Sequence, residues 1–436
     1  MKVAFYTLGC KVNQYETQAM EQMMTARGHQ LVPFEGEADA YVINTCSVTA
    51  VSDKKSRQMI RRARKAAPDA ILAVCGCYAQ THPEDMADLS IDLVAGTGDR
   101  AGFADLLEQT WRERQPVTAL DNAMGRRLFE VLPAGGLEGR TRAMLKVQDG
   151  CNQFCSYCII PYVRGRIRSR SQEAILAEVS ELAEAGIKEV VLTGIHISSY
   201  GKDKNNEGAL IELIEAISKI KGIKRIRLGS LEPGIITEEF VERISSNSKV
   251  CPHFHLSLQS GCDSVLKRMN RKYTCKQYFE KCDMLRKAYK SPALTTDVIV
   301  GFPGETEEEF AETVRYLTEL NLYEMHIFKY SPRKGTVAAA MKEQVAPEIK
   351  NERSDVLLKL AHDNKTAYEA QFEGCELEVL VEEVVKKDNK TYLRGHTERY
   401  MDILIDVGDI SMPESFVNSF VYVTYTQNGG NLPLLL

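Results

Sequence analysis

The feature that most constrains the fold is a regular alternation of strand-length apolar runs with helix-length amphipathic segments. In residues 1–115 the runs VAFYTLG, AYVINT, AILAVCG and DLVAG are interspersed with segments of helical periodicity at 13–27, 52–66 and 101–114. Strands that alternate with helices pair in parallel, with the helices covering the faces of the sheet. This part therefore predicts a parallel α/β domain. Proline, glycine and weak periodicity over 116–140 predict a linker.

A second β/α series occupies residues 141–370. Its six apolar runs are AMLKVQ, EVVLTGI, RIRLGS, HFHLSL, TTDVIVGF and YEMHIFKY. Ser171 is expected to cap the first intervening helix and Gly186 to follow its end. Six parallel strands are fewer than the eight of a closed barrel, so this part predicts an open, partial (β/α)6 barrel.

The pattern changes near residue 371. CELEVLVEEVVKK, KTYLRGHT, YMDILIDVG and SFVYVTYT alternate with a period of two and have no helical segments between them. They predict a small antiparallel β-barrel over 371–436. A length of 436 residues suits three such domains. No apolar run has the length of a membrane span and no signal peptide is evident, so a cytoplasmic protein without membrane attachment is expected.

Three cysteines crowd into the stretch GCNQFCSYC, directly after the first strand of the second series. These barrel cysteines, Cys151, Cys155 and Cys158, follow the spacing C-x3-C-x2-C, and the next cysteine is Cys251. A zinc site would need a distant fourth ligand. A four-iron cluster held by three thiolates keeps one iron open for a small molecule. The spacing therefore favours a [4Fe–4S] cluster, with structural or zinc-bound thiols as the alternative.

A second set of cysteines follows predicted strands of the N-terminal sheet. Cys10 lies in TLGCKVNQYET, Cys46 in VINTCSVT, and both Cys75 and Cys77 in VCGCYAQ. The carboxyl ends of parallel strands open into a common crevice, so thiols from three strand ends are expected to meet there. The pattern favours a second three-thiolate site. Alternatively, these cysteines fill the core as small apolar residues.

With Tyr157 before its last cysteine, the motif C-x3-C-x-Tyr-C resembles the signature of the radical S-adenosylmethionine enzymes, whose fold is a partial barrel. All three domains are similar to the methylthiotransferases of that family, in which the C-terminal barrel is called TRAM. The family's Gly-Cys-x-Ala-Gln context implies Cys77, not Cys75, as the third member of the auxiliary cysteines (Cys10, Cys46 and Cys77). TLGCKVNQYET and GTGDR most resemble the branch that acts on N6-threonylcarbamoyladenosine in tRNA. The isopentenyladenosine branch more often has Gln-Met where this chain has Lys11 and Val12.

The resemblance implies methylthiolation of C2 of N6-threonylcarbamoyladenosine at tRNA position 37, next to the anticodon. It implies two [4Fe–4S] clusters and two uses of S-adenosylmethionine: methyl transfer to a sulfur of the auxiliary cluster, then 5′-deoxyadenosyl radical chemistry at the barrel cluster. The implied partners are the tRNA anticodon stem-loop and an electron donor such as a flavodoxin or ferredoxin. The sequence predicts no oligomeric state.

The family's fold also implies contacts with S-adenosylmethionine at and near the strand ends of the barrel. The candidates in this chain are Tyr157, Thr193, Gly194, Glu232, Gln259, Asp297 and Gly301, the last in GFPGET. Residues of these types also serve as helix caps and turns, and a glycine-rich turn is a weak motif by itself.

Two basic stretches adjoin the cysteine loops and are candidates for RNA contact. On the predicted helix DKKSRQMIRRARK, one face carries Lys54, Arg57, Arg61, Arg64 and Lys65, and RGRIRSR places Arg164, Arg166, Arg168 and Arg170 at period two. Local stripes of this kind bind phosphates even when the whole chain has a net charge of −5. The competing interpretation is a solvated helix face for the first stretch and carboxylate partners for the second. The C-terminal barrel is acidic, and its role stays open.

Two alternative functions also remain open from the sequence. A methylthiotransferase acting on isopentenyladenosine in tRNA, or on an aspartate of a ribosomal protein, would keep the chemistry and change the substrate. A metal-containing RNA-binding protein without turnover would keep the cysteines and the basic stripes.

Overall fold

The computed structural model describes residues 1–133, 141–388, 390–408, 412–427 and 429–431. The end of the predicted linker, residues 134–140, therefore lies outside the described residues. The described chain forms three units, which follow one another along the sequence as the patterns predicted.

A six-stranded, all-parallel sheet forms the N-terminal domain. Its strands are β1 Lys2–Thr7, β2 Gln30–Leu31, β3 Ala40–Thr45, β4 Ile71–Gly76, β5 Leu93–Ala95 and β6 Val117–Ala119, in the order β2-β1-β3-β4-β5-β6. Its helices are α1 Lys11–Ala26, α2 Ala50–Ala66, α3 Cys77–Thr81, α4 Pro83–Ala87 and α5 Arg100–Glu113. The parallel α/β domain is confirmed. The structure differs at β6, which was expected within the linker and instead pairs with β5 as the sixth strand.

The second unit is a half-open barrel whose strands are covered by helices. Its strands are β7 Arg142–Asp149, β8 Arg168–Ser169, β9 Glu189–Gly194, β10 Arg225–Leu228, β11 His253–His255, β12 Ala293–Val300 and β13 Glu324–Lys329. Its helices are α6 Ile160–Arg164, α7 Gln172–Glu184, α8 Ala209–Ser218, α9 Glu238–Ser245, α10 Asp263–Arg268, α11 Cys275–Ala288, α12 Glu307–Leu320 and α13 Pro347–Ala370.

Six of these strands run parallel in the order β7-β9-β10-β11-β12-β13, and the short β8 lies antiparallel on the outer edge of β7. An isolated bridge between Ile226 and Val250 joins the two halves of the array. The partial six-strand barrel is therefore confirmed. Helix α7 begins and ends as expected, because the Ser171 side chain accepts a hydrogen bond from the Ala174 amide and Gly186 follows with a φ of +88°.

The third unit is a small closed barrel of β14 Glu376–Lys387, β15 Lys390–Thr397, β16 Asp402–Asp406, β17 Phe420–Thr426 and β18 Gly429–Asn431. Its pairings are antiparallel, as expected, except that β18, which the sequence pattern did not indicate, runs parallel to β16. This barrel packs against the amino ends of the strands of the partial barrel. There Arg142 binds Glu382 and Arg225 binds Glu378, each at 2.8 Å.

Alternation along the barrel strands separates a core from an interior. On β12, Val298 and Val300 are fully buried in the hydrophobic core shared with the helices. Asp297 and Ile299 point the other way, toward a cleft at the carboxyl ends of the strands. Of the helices in the described part of the chain, none is both long and apolar enough to cross a bilayer.

Candidate active site

The barrel cysteines lie on one loop at the carboxyl end of β7. The loop begins at Gly150, whose φ is +72° and where a Cβ atom would lie 1.9 Å from the Arg166 carbonyl oxygen, so glycine is required. The Cys158 amide donates to the Cys155 carbonyl at 2.9 Å, which closes a turn between these two cysteines. A short, tightly folded loop thus presents three thiols at the end of the barrel where ligands bind in this class of fold.

The donor chemistry of this loop fits a cationic cluster. Burial, reinforced by the charge of Cys155, raises the pKa of Cys158 to about 12, and burial raises the pKa of Cys151 to about 11. Thiols in such a place ionise when a metal centre supplies positive charge. Arg271 adds a fixed cation by donating from Nη1 to the Cys155 Sγ at 3.1 Å.

The auxiliary cysteines follow three adjacent strands of the N-terminal sheet. Cys10 comes directly before α1, Cys46 follows β3, and Cys77 is the first residue of α3 after β4. A Cβ atom on Gly9 would lie 2.9 Å from the Cys46 Cβ and 3.1 Å from its Sγ, so the loop that carries Cys10 touches Cys46. At Gly76 the φ is +96° and a Cβ atom would lie 2.5 Å from the Thr45 carbonyl oxygen.

The mutual effects of these three thiols on pKa also indicate that they lie close together. Burial raises the pKa of Cys77 to about 12, and the charges of Cys46 and Cys10 act in the same direction. Cys75 differs, because it is fully buried within the hydrophobic core of the sheet, and burial is the main cause of its raised pKa, to which no other cysteine contributes. The arrangement supports Cys10, Cys46 and Cys77 as one three-thiolate site and assigns Cys75 to packing.

A cleft of about 280 Å³ joins the two cysteine loops. The N-terminal domain contributes Val48 and Thr49, which closely follow Cys46, and the barrel contributes Tyr157, Cys158, Ile159, Ile160, Gln259, Asp297, Ile299, Phe328, Lys329, Tyr330 and Ser331. Val48 and Phe328 are large apolar side chains that stay 51% and 42% exposed at this opening. The cleft is therefore shared between domains, mostly apolar, and bordered by a few polar groups, as small-molecule sites are.

Three of the predicted S-adenosylmethionine contacts, Tyr157, Gln259 and Asp297, line this cleft. Gln259 has a φ of +78°, which is unusual for a residue other than glycine. Its amide donates to the Asp297 carbonyl at 2.9 Å, and its own carbonyl accepts from the Ile299 amide at 2.9 Å. Two backbone bonds thus hold a strained residue in place, a feature that concentrates at ligand sites. Tyr157 also packs against the hydrophobic cluster that contains Phe302.

Three other predicted cofactor residues lie near the barrel cysteines or at the end of β9. Glu232 accepts a hydrogen bond from Arg271 at 2.8 Å. The same guanidinium donates to the Cys155 sulfur, so Arg271 links the two residues. Thr193 and Gly194 end β9, and a Cβ atom at Gly194 would lie 2.8 Å from the Gln148 carbonyl oxygen. These three remain predicted contacts.

Gly301 is placed differently from the other candidates. It is buried, with a φ of +68°, and a Cβ atom there would lie 2.3 Å from the Lys350 side chain. Its amide donates to Glu305 at 2.6 Å. The structure therefore gives Gly301 a turn-forming role with its backbone donor already used, and its contact with the cofactor remains a prediction.

The expected RNA contacts in RGRIRSR are wrong at three of the four positions. Arg164 is 0% exposed and binds Glu16, while Arg168 and Arg170 are also buried, Arg170 in an ion pair with Glu178. Burial of an arginine requires a carboxylate partner, which is the interpretation the sequence left open for this stretch. Arg166 alone of the four is exposed, and its guanidinium lies 4.6 Å above the Phe154 ring.

The basic face of α2 is partly free. Lys54, Arg61 and Lys65 are exposed and have no ion pair within the described residues. Arg57 donates to the Tyr78 hydroxyl at 2.9 Å, and Arg64 is bound to three backbone carbonyls and to the Asp92 carboxylate. The candidate RNA face is therefore smaller than the sequence indicated.

Two arginines that contact the cysteine loops gave no signal in the sequence. Arg271, within the ordinary polar stretch MNRKYT, reaches Cys155 only because the chain returns to the loop after α10. Arg333, which follows β13, forms a buried ion pair with Asp53 on α2 and donates to the Ser47 carbonyl at 3.4 Å. This contact ties the loop after Cys46 to the barrel. Neither residue belongs to a motif, and neither was identified from the sequence.

Comparison with known proteins adds independent evidence. The radical SAM superfamily matches residues 145–317, and uncharacterized protein family UPF0004 matches residues 2–96. The chain is 46% identical over 404 residues to the threonylcarbamoyladenosine tRNA methylthiotransferase MtaB of Bacillus subtilis, covering 92% of this chain and 90% of that protein. It is 36% identical over 394 residues to the tRNA-2-methylthio-N(6)-dimethylallyladenosine synthase of Acetivibrio thermocellus, covering 88% and 82%.

A solved structure shares the fold at low sequence identity. The radical S-adenosylmethionine methyltransferase TsrM from Kitasatospora setae, with cobalamin and a [4Fe-4S] cluster bound, superposes with a TM-score of 0.55 at 16% identity, over 76% of this chain and 73% of that one. This likeness concerns the fold alone.

Proposed function

Because the chain belongs to the tRNA methylthiotransferases of the radical S-adenosylmethionine family, we propose that it methylthiolates C2 of N6-threonylcarbamoyladenosine at position 37 of tRNA, next to the anticodon. The observation that carries this proposal is the cleft shared by the two cysteine loops, since one adenine placed there would face both. The relative named for threonylcarbamoyladenosine is 46% identical, against 36% for the one named for dimethylallyladenosine, which favours this substrate.

The family implies S-adenosylmethionine and a [4Fe–4S] cluster, and the proposal adds a second cluster. When bound, these groups supply the methyl group, the sulfur and the radical that C–H replacement at an aromatic carbon requires. The barrel cysteines would hold the first cluster. The auxiliary cysteines would hold the second, with their loops set by the close approaches at Gly9 and Gly76.

The protein's own contribution is to hold and enclose the reactants. Arg271 bridges the Cys155 sulfur and Glu232, so it fixes one cluster ligand relative to a carboxylate that could bind the cofactor. Gln259 and Asp297 offer polar groups from the neighbouring strands. Ile160 and Phe328 give the cleft apolar walls, which keep water from a reactive intermediate. Positioning of this kind is a large part of what an enzyme adds to cofactor chemistry.

The tRNA would approach from the side where α2 and the barrel loop meet. Lys54, Arg61 and Lys65 supply phosphate contacts from α2, and Arg166 supplies one beside the barrel cysteines. The exposed rings and aliphatic groups at the opening, such as Phe328 and Val48, suit stacking of a base extruded from the loop. A flavodoxin or ferredoxin would serve as electron donor, and a tRNA substrate would place the enzyme in the cytoplasm.

The test is anaerobic reconstitution with iron and sulfide, followed by reaction with S-adenosylmethionine, a reductant and tRNA carrying threonylcarbamoyladenosine. Mass spectrometry of the nucleosides should show the 2-methylthio derivative. A matched tRNA carrying isopentenyladenosine should give little product. Product on the second tRNA and none on the first would overturn the substrate assignment while leaving the reaction intact.

A pair of variants separates the second cluster from packing effects. Cys77→Ala should lose methylthio transfer and part of the bound iron, because it removes a ligand of the auxiliary set. Cys75→Ala, two residues away in the core, should keep both. Equal loss in the two variants would contradict the assignment of Cys77 as a ligand.

A further inference from the structure

Basic and acidic side chains gather in the partial barrel toward the amino ends of its strands. Four cations converge there, Lys11, Arg142, Arg225 and Arg227, and the carboxylates facing them are Glu189, Glu378 and Glu382. Arg227 binds Glu189 at 2.7 Å, Arg225 binds Glu378 at 2.8 Å and Arg142 binds Glu382 at 2.8 Å. Each arginine therefore has its own carboxylate, and Lys11 has none within the described residues.

Lys11 is held in this region by the helix that it begins. It is the first residue of α1 and follows Cys10 directly. Five residues later, Glu16 binds Lys146 on β7 at 2.8 Å, so the start of α1 is fixed against the barrel. The charges that act most strongly on the Lys11 ammonium are those of Arg227, Arg142 and Glu189. Its side chain remains solvent-accessible, and in the described part of the chain it makes no hydrogen bond or ion pair.

A row of imidazoles connects Lys11 to the cleft. His253 is 8% exposed, its Nδ1 has no hydrogen-bond partner within the described residues, and the Lys11 charge acts on it. Next along β11, His255 lies with Nε2 3.4 Å from Asp297, a residue of the cleft, and its ring stacks on His326 at 5.8 Å between centroids. These polar side chains lie between the cleft and Lys11, and within the described residues Lys11 has no carboxylate at ion-pair distance.

We propose that Lys11 binds the carboxylate of the N6 substituent of the substrate adenosine, an inference that rests on the proposed function. A threonylcarbamoyl group ends in an amino-acid carboxylate, whereas an isopentenyl group is neutral. C2 and C6 of adenine both adjoin N1, so a substituent on N6 lies along the same edge as the reacting carbon. A base whose C2 faces the auxiliary cysteines therefore directs its N6 substituent toward the neighbourhood of Cys10. Lys11 is the residue after Cys10 and has a long, flexible side chain. Its ammonium would donate a charge-assisted hydrogen bond to the carboxylate of the substituent.

The test compares two anticodon stem-loops that differ only in this charge. One carries threonylcarbamoyladenosine and the other carries the corresponding threoninamide, in which the carboxylate is a neutral carboxamide. For the wild-type enzyme, kcat/KM should be about 10- to 100-fold higher on the carboxylate, the range expected for one hydrogen bond to a charged group. Lys11→Gln should remove this preference by lowering kcat/KM on the carboxylate and leaving the carboxamide nearly unchanged.

Three controls separate recognition from damage to the neighbouring cluster site. Lys11→Gln should keep the iron content and the rate of 5′-deoxyadenosine formation of the wild type. Lys11→Arg should restore part of the preference, because it keeps the positive charge. Lys276→Gln removes an exposed lysine from the outer face of α11 and should change neither substrate.

The outcomes distinguish this inference from the proposed function. A wild-type enzyme that methylthiolates both stem-loops equally well would overturn the inference and keep the function. A Lys11→Gln enzyme that loses activity equally on both would also overturn it, since Lys11 would then support the cluster site. Absence of any product from threonylcarbamoyladenosine with the wild type would instead refute the proposed function.

Discussion

Glu16 lies at the centre of a buried charge network that joins the N-terminal domain to the barrel, and its removal should be costly. Its side chain is 1% exposed, and its carboxylate lies 2.8 Å from Lys146 of β7 and 3.0 Å from Arg100 of α5. It also pairs with Arg164, at the end of α6. One carboxylate thus balances cations from three elements and both domains. Glu16→Gln keeps the shape of the side chain and removes the charge.

The size of the effect follows from what the substitution leaves behind. Burial by itself would raise the pKa of Glu16, but Arg164, Lys146 and Arg100 hold it well below its usual range, so the group is ionised at neutral pH. Without it, the remaining carboxylate of the network is Asp149, which lies 2.7 Å from Lys146. Removing one partner of a buried ion pair costs about 3–5 kcal/mol, because an uncompensated charge stays buried. A loss of about that size is expected here.

The sole tryptophan makes the assay specific to the N-terminal domain. Trp111 lies on α5, the helix that also carries Arg100. Its fluorescence in a urea titration therefore reports unfolding of that domain, and the midpoint should fall markedly in Glu16→Gln. Glu108→Gln is the matched control, since Glu108 pairs with Arg27 and His29 at the surface, where ion pairs contribute little.

The dependence on pH provides a second, independent check. A carboxyl group whose pKa is lowered in the folded state contributes stability that is complete above its unfolded pKa, about 4.3, and is lost as the pH falls through the folded value. The stability difference between wild type and Glu16→Gln should therefore shrink below about pH 4.3. Equal urea midpoints for Glu16→Gln and Glu108→Gln at neutral pH would refute the argument, as would a difference that grows in acid.

Three further predictions concern the clusters and the RNA. Cys155→Ala should abolish formation of 5′-deoxyadenosine, whereas Cys46→Ala should retain it and lose the methylthio product; full transfer by Cys46→Ala would remove the second cluster from the mechanism. Reversing the charge of Arg61 and Lys65 should weaken tRNA binding. The slope of log K against log salt should become shallower by roughly 0.7 to 0.9 per lost phosphate contact. An unchanged slope would show that this face of α2 is a solvated surface that does not contact RNA. Gly76→Ala should lower stability by about 1–3 kcal/mol and reduce bound iron, since a positive φ and a close backbone contact both oppose a side chain there; a variant with full iron content would show that the loop tolerates the change.

Local sequence determined the elements and the places of the cysteines. Apolar periodicity is set by neighbours along the chain, so the strands before Cys46 and Cys151 and the alternation in the C-terminal barrel were predictable. Because parallel strands end at one edge, the position of each cysteine directly after a strand also predicted that the thiols converge. The short strands β2 and β18 were not predicted, because they form only by pairing with other strands of their sheets.

What the tertiary structure decided is which charged residues are free. Arg61 and Arg164 read alike in the sequence, yet one is exposed and the other is fully buried beside Glu16, a residue 148 positions away in the chain. The same holds for Arg271, which donates to the Cys155 sulfur, and for Lys11, which has no acid partner in the part of the chain that the structure describes. Charge is a property of the residue, but desolvation and pairing depend on groups distant in sequence, so the folded chain settles them.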